Sequence, residues 1–193
     1  MNTITLSSEP FLEPYLRRIR ISKVIPLLRH KQNNVLLDIG CGYDAKFLLK
    51  AVKFVKSCTG IDPKAPILDN DKITTLRIML NNTLPFPDNS FDIVTMLAVL
   101  EHLSNPYEIL NEIFRILKPN GIFTGTVPST FSKPILEFLS FRLKILNPNE
   151  ILDHKIYYNK KNLTSLLSYS GFSDIKHHYF QLMMNNFFYC TRN

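Results

Sequence analysis

The 193-residue sequence is poor in several things that would each imply a function class. It has three cysteines, Cys41, Cys58 and Cys190, with no CxxC pair and no regular spacing. An odd, sparse set gives no disulfide framework and points to reduced thiols in a cytoplasmic protein. No apolar run approaches the span of a bilayer; Ile93 to Leu100 is short and carries Thr95. The opening MNTITLSSEPFLEP has no basic start followed by an apolar stretch, so it does not read as a signal peptide. Internal repeats and low-complexity segments are missing. The net charge of +7 is dispersed, and no aromatic–basic RNA module accompanies it, so nucleic acid is disfavoured as a partner.

What remains is ordinary globular composition, 45% hydrophobic and 20% charged, in a chain long enough for one domain with a real core. The pattern alternates between helical and strand periods. Leu12, Leu16, Ile19, Val24, Leu27 and Leu28 sketch an amphipathic helix that Pro26 should kink or split. Val35 to Asp38 is too uniformly apolar for an exposed strand and should be central and parallel. Ala45 to Ser57 reads as a helix, with Lys46, Lys50, Lys53 and Lys56 on its solvated side. Strands are expected at Cys58–Ile61, Ile73–Leu80, Phe91–Leu97 and Ile122–Val127. Before the last of these, Asn105, Pro106 and Glu108 form a capping-box arrangement at the start of a helix. The helix carries Leu110, Ile113, Phe114 and Leu117 inward, and Lys118-Pro119-Asn120-Gly121 stops it. After a helix at Asn159–Tyr169, the strands Ser173–Phe180 and Leu182–Cys190 lie close enough to pair as a hairpin. The expected fold is α/β: a Rossmann-like doubly wound sheet of seven strands, with an antiparallel last strand. We read one domain: a helical cap over 1–34, a core over 35–128, an inserted lid over 129–153, and a helix with a hairpin over 154–193.

The stretch VLLDIGCGYD, Val35 to Asp44, carries the chemistry. In such sheets a ligand sits beyond the C-terminal strand ends. Gly40 and Gly42 let the backbone approach a group that a side chain would exclude. Asp62 ends the next strand, 20 residues after Gly42, where a carboxylate can accept hydrogen bonds from both hydroxyls of a ribose. Gly40 to Ala45 also fits GxGxxA, the dinucleotide fingerprint. Asp38 and Asp44 count against that reading, because both are poor neighbours for a pyrophosphate. A nucleoside with a cationic tail and no phosphate fits better. Asp62 before Pro63 also suits a turn, but its place after an apolar strand favours ribose. Pro85 to Asn89 is turn chemistry, and Cys41 is a small residue in a tight loop rather than a nucleophile.

VLLDIGCG, then GID, then LPFPDNSFDIVTMLAVLEHLSNPYEILNEIFRILKPNGIFTGTVP together resemble the class I S-adenosylmethionine-dependent methyltransferases. Within these, the similarity points to the subgroup that includes ubiquinone and menaquinone biosynthesis methyltransferases. It runs from about Val35 to Pro128, and more loosely to the end of the chain. The resemblance implies S-adenosylmethionine as cofactor. Asp38, Gly40, Cys41 and Gly42 would then surround its methionine part, and Asp62 its ribose. Ile61 or Pro63 would flank the adenine, and the strand end at Leu97 would offer a carbonyl to the amino group. Asn81 or Asn82 would stand in for an acidic residue the family often has before LPF. Asp44 stands where the family often has glycine.

Methyl transfer from a sulfonium is an in-line displacement, so alignment and water exclusion do most of the work. An oxygen nucleophile also needs a base. His102, after the fourth strand, and His154, between the lid and the next helix, are the candidates. The ubiquinone O-methyltransferases resembled here carry an E-x-x-E-H metal pattern. This chain has Ala98, Val99, Leu100, Glu101 and His102 in those places, so no required metal is expected. His177 and His178 are neighbours on a strand and point to opposite faces. The lid, Ser129 to Asp153, is apolar at Phe131, Ile135, Leu136, Phe138, Leu139 and Phe141, and basic at Lys133, Arg142 and Lys144. It should cover a small-molecule or lipid-like acceptor, with peripheral membrane contact a further role. The alternative is a catalytically inactive cofactor-binding regulator or scaffold. An open pocket beside the methyl position would favour the enzyme, and a filled one the scaffold.

Overall fold

The computed structural model describes residues 13–29, 33–137 and 153–193. Seven strands form one sheet: β1 (Val35–Ile39), β2 (Ser57–Ile61), β3 (Ile73–Leu76), β4 (Phe91–Leu97), β5 (Leu117–Pro128), β6 (Ser173–Phe180) and β7 (Asn185–Thr191). Their order is β3-β2-β1-β4-β5-β7-β6. The first five are parallel, and β7 runs antiparallel between β5 and β6. This is the doubly wound sheet with an antiparallel edge that the alternation predicted. The chain steps outward from β1 to β3 and then returns to place β4 beside β1. The strand order therefore reverses between β1 and β4, where a crevice opens at their C-terminal ends.

Both faces of the sheet are covered, so adjacent strand residues serve opposite cores. Leu37 and Ile39 join the core beneath α3 (Pro106–Ile116), whose Ile109, Leu110, Ile113 and Ile116 are buried. The same core includes Leu163 and Leu167 of α5 (Lys160–Tyr169). Leu36 and Ile93 belong to the other core, with Ile21, Val24 and Leu28 of α1 (Glu13–Leu28) and Phe47, Leu48 and Ala51 of α2 (Lys46–Ala51).

Several elements differ from the sequence reading. Helix α1 continues through Pro26 instead of splitting there. Proline in the last turn costs one backbone bond, and burial of Val24 and Leu28 on either side of it holds the turn. Helix α2 stops at Ala51, because Val52 and Val55 are poor helix formers and the chain must turn to begin β2 at Ser57. Strand β3 ends at Leu76, four residues early, at the sheet edge. Strand β5 starts at Leu117, paired with Phe91. Lys118 to Gly121 therefore forms an irregularity inside a strand, with Asn120 at φ 62°, rather than a break. The capping box does not form: Asn105 makes no side-chain cap bond, and Glu108 Oε2 is buried without a partner. Asn159 does cap α5, accepting from the Asn162 N–H at 2.8 Å.

The Pro85–Asn89 turn is tied to α3. Arg115 donates to Asp88 at 2.6 Å and to the carbonyls of Phe86 and Leu84, while Glu112 accepts from the Leu84 N–H. Of the lid, α4 (Ser132–Glu137) is described; Phe138, Leu139, Phe141, Arg142 and Lys144 fall outside the described residues. Among the described residues, no helix is long and apolar enough to cross a membrane.

Candidate cofactor site

At the β1/β4 crevice the chain leaves β1 through a tight loop. Gly40 and Gly42 sit at φ 79° and 73°, the left-handed region that glycine enters without penalty. A Cβ at Gly40 would lie 2.2 Å from Val99 Cγ2, so the loop packs directly on the chain beyond β4. At Gly42 a Cβ would meet only Asp44 Oδ1 at 3.9 Å and would otherwise project into open space. The Gly40 and Cys41 N–H groups both bond the Ile61 carbonyl, which fastens the loop to β2. Ala98, on the opposite wall, is also left-handed at φ 57°.

A cavity of about 180 Å³ lies over this loop. Asp38, Gly40, Cys41, Gly42 and Leu97, all expected at the cofactor, line it together with Asp44, Lys46, Phe47 and Ala98. Its remaining wall is α1, through Glu13, Arg17, Arg20 and Ile21. Asp38 is buried at 2% exposure, and Thr95 Oγ1 donates to it at 2.6 Å. Burial pushes its carboxyl up to about 7; the Thr95 bond works against that shift and the Asp62 charge adds to it. A carboxylate in this position is incompletely compensated, and a cation is what it lacks.

Asp62 accepts from the Gly42 N–H at 3.1 Å and from the Lys64 N–H at 2.7 Å, so its carboxylate is fixed at the loop's edge. Pro63, Asn81 and Asn82 are exposed and do not line the cavity. The sequence-predicted set thus divides between the walled cavity, lined by Asp38, Gly40, Cys41, Gly42 and Leu97, and positions outside that lining, Asp62, Pro63, Asn81 and Asn82. Ile61 is fully buried in the core, which leaves Pro63, exposed, as the one of the two expected residues with a face for adenine. Burial and the charges of Asp38 and Asp62 push the Cys41 thiol up to about 12, in keeping with a packing role.

Asp44 has a different task from the glycine it replaces. It forms ion pairs with Arg17 at 3.2 Å and Lys46 at 2.9 Å and accepts from the Lys46 N–H. Burial raises its carboxyl, but the bonds from Lys46 and the positive charges of Arg17 and Lys46 outweigh that and hold it below the usual range. Asp44 therefore pins α1 against the glycine loop. The sequence reading followed only the apolar stripe of α1 and missed this polar face. Glu13, Arg17 and Arg20 recur at helical spacing, which was the available signal, and Arg20 pairs with Glu13.

Beyond Ala98, a short 3-10 turn (Leu100–His102) carries Glu101 and His102. The N–H groups of Lys155 and Ile156 both bond the Glu101 carbonyl, at 2.9 and 3.2 Å. This brings His154 beside His102, with ring centroids 5.0 Å apart. The two candidate bases are thus neighbours, which 52 residues of separation concealed. Burial, with the charges of His102 and Arg20, holds the His154 imidazole down to about 4, against the pull of Asp153. Burial lifts the Glu101 carboxyl up to about 7, against its backbone hydrogen bond and the positive neighbours His102 and Arg20. His177 bonds Asn186, and His178 stacks on Phe187, so neither reaches this group.

S-adenosylmethionine fits these residues: a buried carboxylate suited to a positive charge, a glycine loop open at Gly42, and a carboxylate fixed at the loop's edge. Comparison with known proteins agrees. Residues 37–124 match the family model described as "Methyltransferase domain". The chain is 29% identical, over 71% of its length, to a probable S-adenosylmethionine-dependent methyltransferase of Mycolicibacterium smegmatis, of which it covers 51%. It is 31% identical, over 55% of its length, to a demethylmenaquinone methyltransferase of Symbiobacterium thermophilum, of which it covers 46%. The chain thus spans about half the length of the curated relatives it matches. The structure of an S-adenosylmethionine-dependent methyltransferase from Mesorhizobium loti superposes with a TM-score of 0.69 at 16% identity, covering 89% of this chain and 96% of that one.

Proposed function

The chain belongs to the class I S-adenosylmethionine-dependent methyltransferases of the type 11 group, and from that premise we propose that it transfers the sulfonium methyl to a small-molecule or lipid-like acceptor. The observation that carries this reading is the buried Asp38 facing a cavity walled by Gly40, Gly42 and Ala98. The cofactor supplies an activated methyl group. Asp38 would hold its positively charged end, and Asp62 its ribose hydroxyls. The glycine loop would give its backbone to the methionine part, and Leu97 its carbonyl. Pro63, Asn81 and Asn82, exposed outside the walled cavity, would border the nucleoside.

Displacement at the methyl carbon then needs an aligned nucleophile and a dry approach. Helix α1 walls the cavity from one side, and α4 follows β5 on the acceptor side. His102 and His154 offer lone pairs there. A proton leaving an acceptor hydroxyl or amine is one taker, and a neutral His154 suits that role. Phe131 and Ile135 are exposed, and Lys133 lies 5.9 Å from the Tyr157 ring. This apolar and basic surface supports an apolar acceptor and contact with a lipid surface. The cavity over the glycine loop serves the cofactor in either reading, so transfer of label to an acceptor is what separates an enzyme from an inactive scaffold. All three cysteines are free and buried, which supports a cytoplasmic setting.

Incubation with methyl-labelled S-adenosylmethionine and a panel of small-molecule and lipid acceptors tests the proposal. Label transferred to an acceptor, and lost in Asp38→Ala, is the expected result. Tight cofactor binding with no transfer to any acceptor class would favour the scaffold.

A further inference from the structure

Glu101, His102 and His154 each direct a ligand atom into one small volume, all within 4.8 Å of one another. Glu101 is 2% exposed, and its Oε2 is buried without a hydrogen-bond partner. The hydroxyl of Tyr158 is a second buried orphan, and that side chain feels the Glu101 charge. Unpaired polar atoms in an interior call for an occupant.

The outer contacts of the two rings are also those of metal-bound histidines. His102 Nδ1 lies 2.9 Å from the Asp153 carboxylate, and His154 Nδ1 lies 3.2 Å from the Tyr157 hydroxyl. Each ring is thereby held through Nδ1, so Nε2 is the nitrogen an ion would take. A metal-ligating histidine nearly always has such a partner on its other nitrogen, which fixes the tautomer and the ring plane. Arg20 is the nearby cation, and Glu13 neutralises it.

We propose that Glu101, His102 and His154 form a binding site for a divalent first-row transition ion beside the cofactor cavity. The sequence expectation of no metal rested on Ala98 removing a ligand from the E-x-x-E-H pattern; His154 supplies a third donor from a distant part of the chain. Two imidazoles and one carboxylate suit zinc or iron(II) better than magnesium, which prefers oxygen donors. Three protein donors leave a coordination position for an external ligand. With an ion bound, the two rings are ligands rather than bases.

The test uses chelator-treated full chain and Zn²⁺ as the probe, titrated calorimetrically without cofactor. Expected is one Zn²⁺ per chain at micromolar affinity or tighter. His154→Ala and Glu101→Gln should each weaken it at least about tenfold. Asp153→Asn, on the surface, and Tyr157→Phe should weaken it by about ten- to a hundredfold through ring orientation alone. Absence of Zn²⁺ binding by the parent chain would overturn the proposal, as would equal affinity in parent, His154→Ala and Asp153→Asn. Circular dichroism identifies any variant that fails to fold, and the surface variant then carries the test. Titration of the same sample with S-adenosylhomocysteine reads the cofactor site separately, so failure of one reading leaves the other standing.

Discussion

Asp38 gives the cofactor reading a pH signature. Its carboxyl is raised to about 7 because burial opposes the charge more than the Thr95 bond favours it. Ligand binding should therefore be linked to a proton. A cation seated at Asp38 favours the ionised form, so binding below or near neutrality releases a proton. With a site pKa of about 7, about half the sites are ionised at pH 7 and about 3% at pH 5.5. If only the ionised form binds, apparent affinity falls about sixteen-fold across that interval, or about 1.6 kcal/mol. The ligand's own amino group, more basic than a peptide α-amine because a free carboxylate adjoins it, stays charged throughout.

Calorimetric titration with S-adenosylhomocysteine at pH 7 and 5.5, in buffers of different ionisation enthalpy, reads both the affinity and the released proton. Asp38→Asn should weaken binding at pH 7 and flatten the profile. The other charged groups at the cavity are Glu13, Arg17, Arg20, Asp44 and Lys46, with Asp62 next to Gly42. The variant separates Asp38 from all of them. A parent profile that is flat from pH 5.5 to 7, or a slope that survives in Asp38→Asn, would refute the assignment. The linkage has the opposite consequence for the free protein. The folded state keeps a proton on Asp38 at pH values where the unfolded state has lost it. That contribution to stability is fully present below about pH 4 and is lost as pH rises through about 7. Glu101 carries the same sign and His154, held down to about 4, the opposite one, so the quantity that isolates Asp38 is the difference between parent and Asp38→Asn, which should shrink as pH rises from 5 to 8.

Asp62→Ala should weaken S-adenosylhomocysteine by roughly 1–3 kcal/mol, the scale of lost hydrogen bonds to a charged group, and unchanged affinity would remove Asp62 from the ribose. Gly40→Ala should lower stability by roughly 1–3 kcal/mol or more, because its φ of 79° and the contact with Val99 both oppose a Cβ; parent-like denaturation would show that the loop is looser than described.

The parallel core was legible because each strand is a short apolar run ended by a turn signal. Val35–Ile39 and Phe91–Leu97 are bounded within a residue of their predicted limits. Boundaries failed where tertiary pairing overrode local grammar. Lys118-Pro119-Asn120-Gly121 looks like a stop, yet the pairing of Leu117 with Phe91 draws it into β5. The left-handed turns at Gly40 and Gly42 and the place of Asp62 beside them were readable because both are local to two strand ends. Arg17 and Arg20 escaped because the polar face of a helix is usually solvated, and only the pairing of Asp44 with Arg17 shows that this one faces the cavity. The joining of Glu101 and His102 to His154 depends on two backbone bonds across more than fifty residues, which no spacing rule encodes.

The measurement that bears most directly on the central claim is a paired titration of the purified chain with S-adenosylhomocysteine and with NADH. The account predicts saturable binding of S-adenosylhomocysteine, lost in Asp38→Ala, and no comparable response to NADH, whose pyrophosphate would face Asp38 and Asp44. Micromolar binding of NADH with no response to S-adenosylhomocysteine would contradict it.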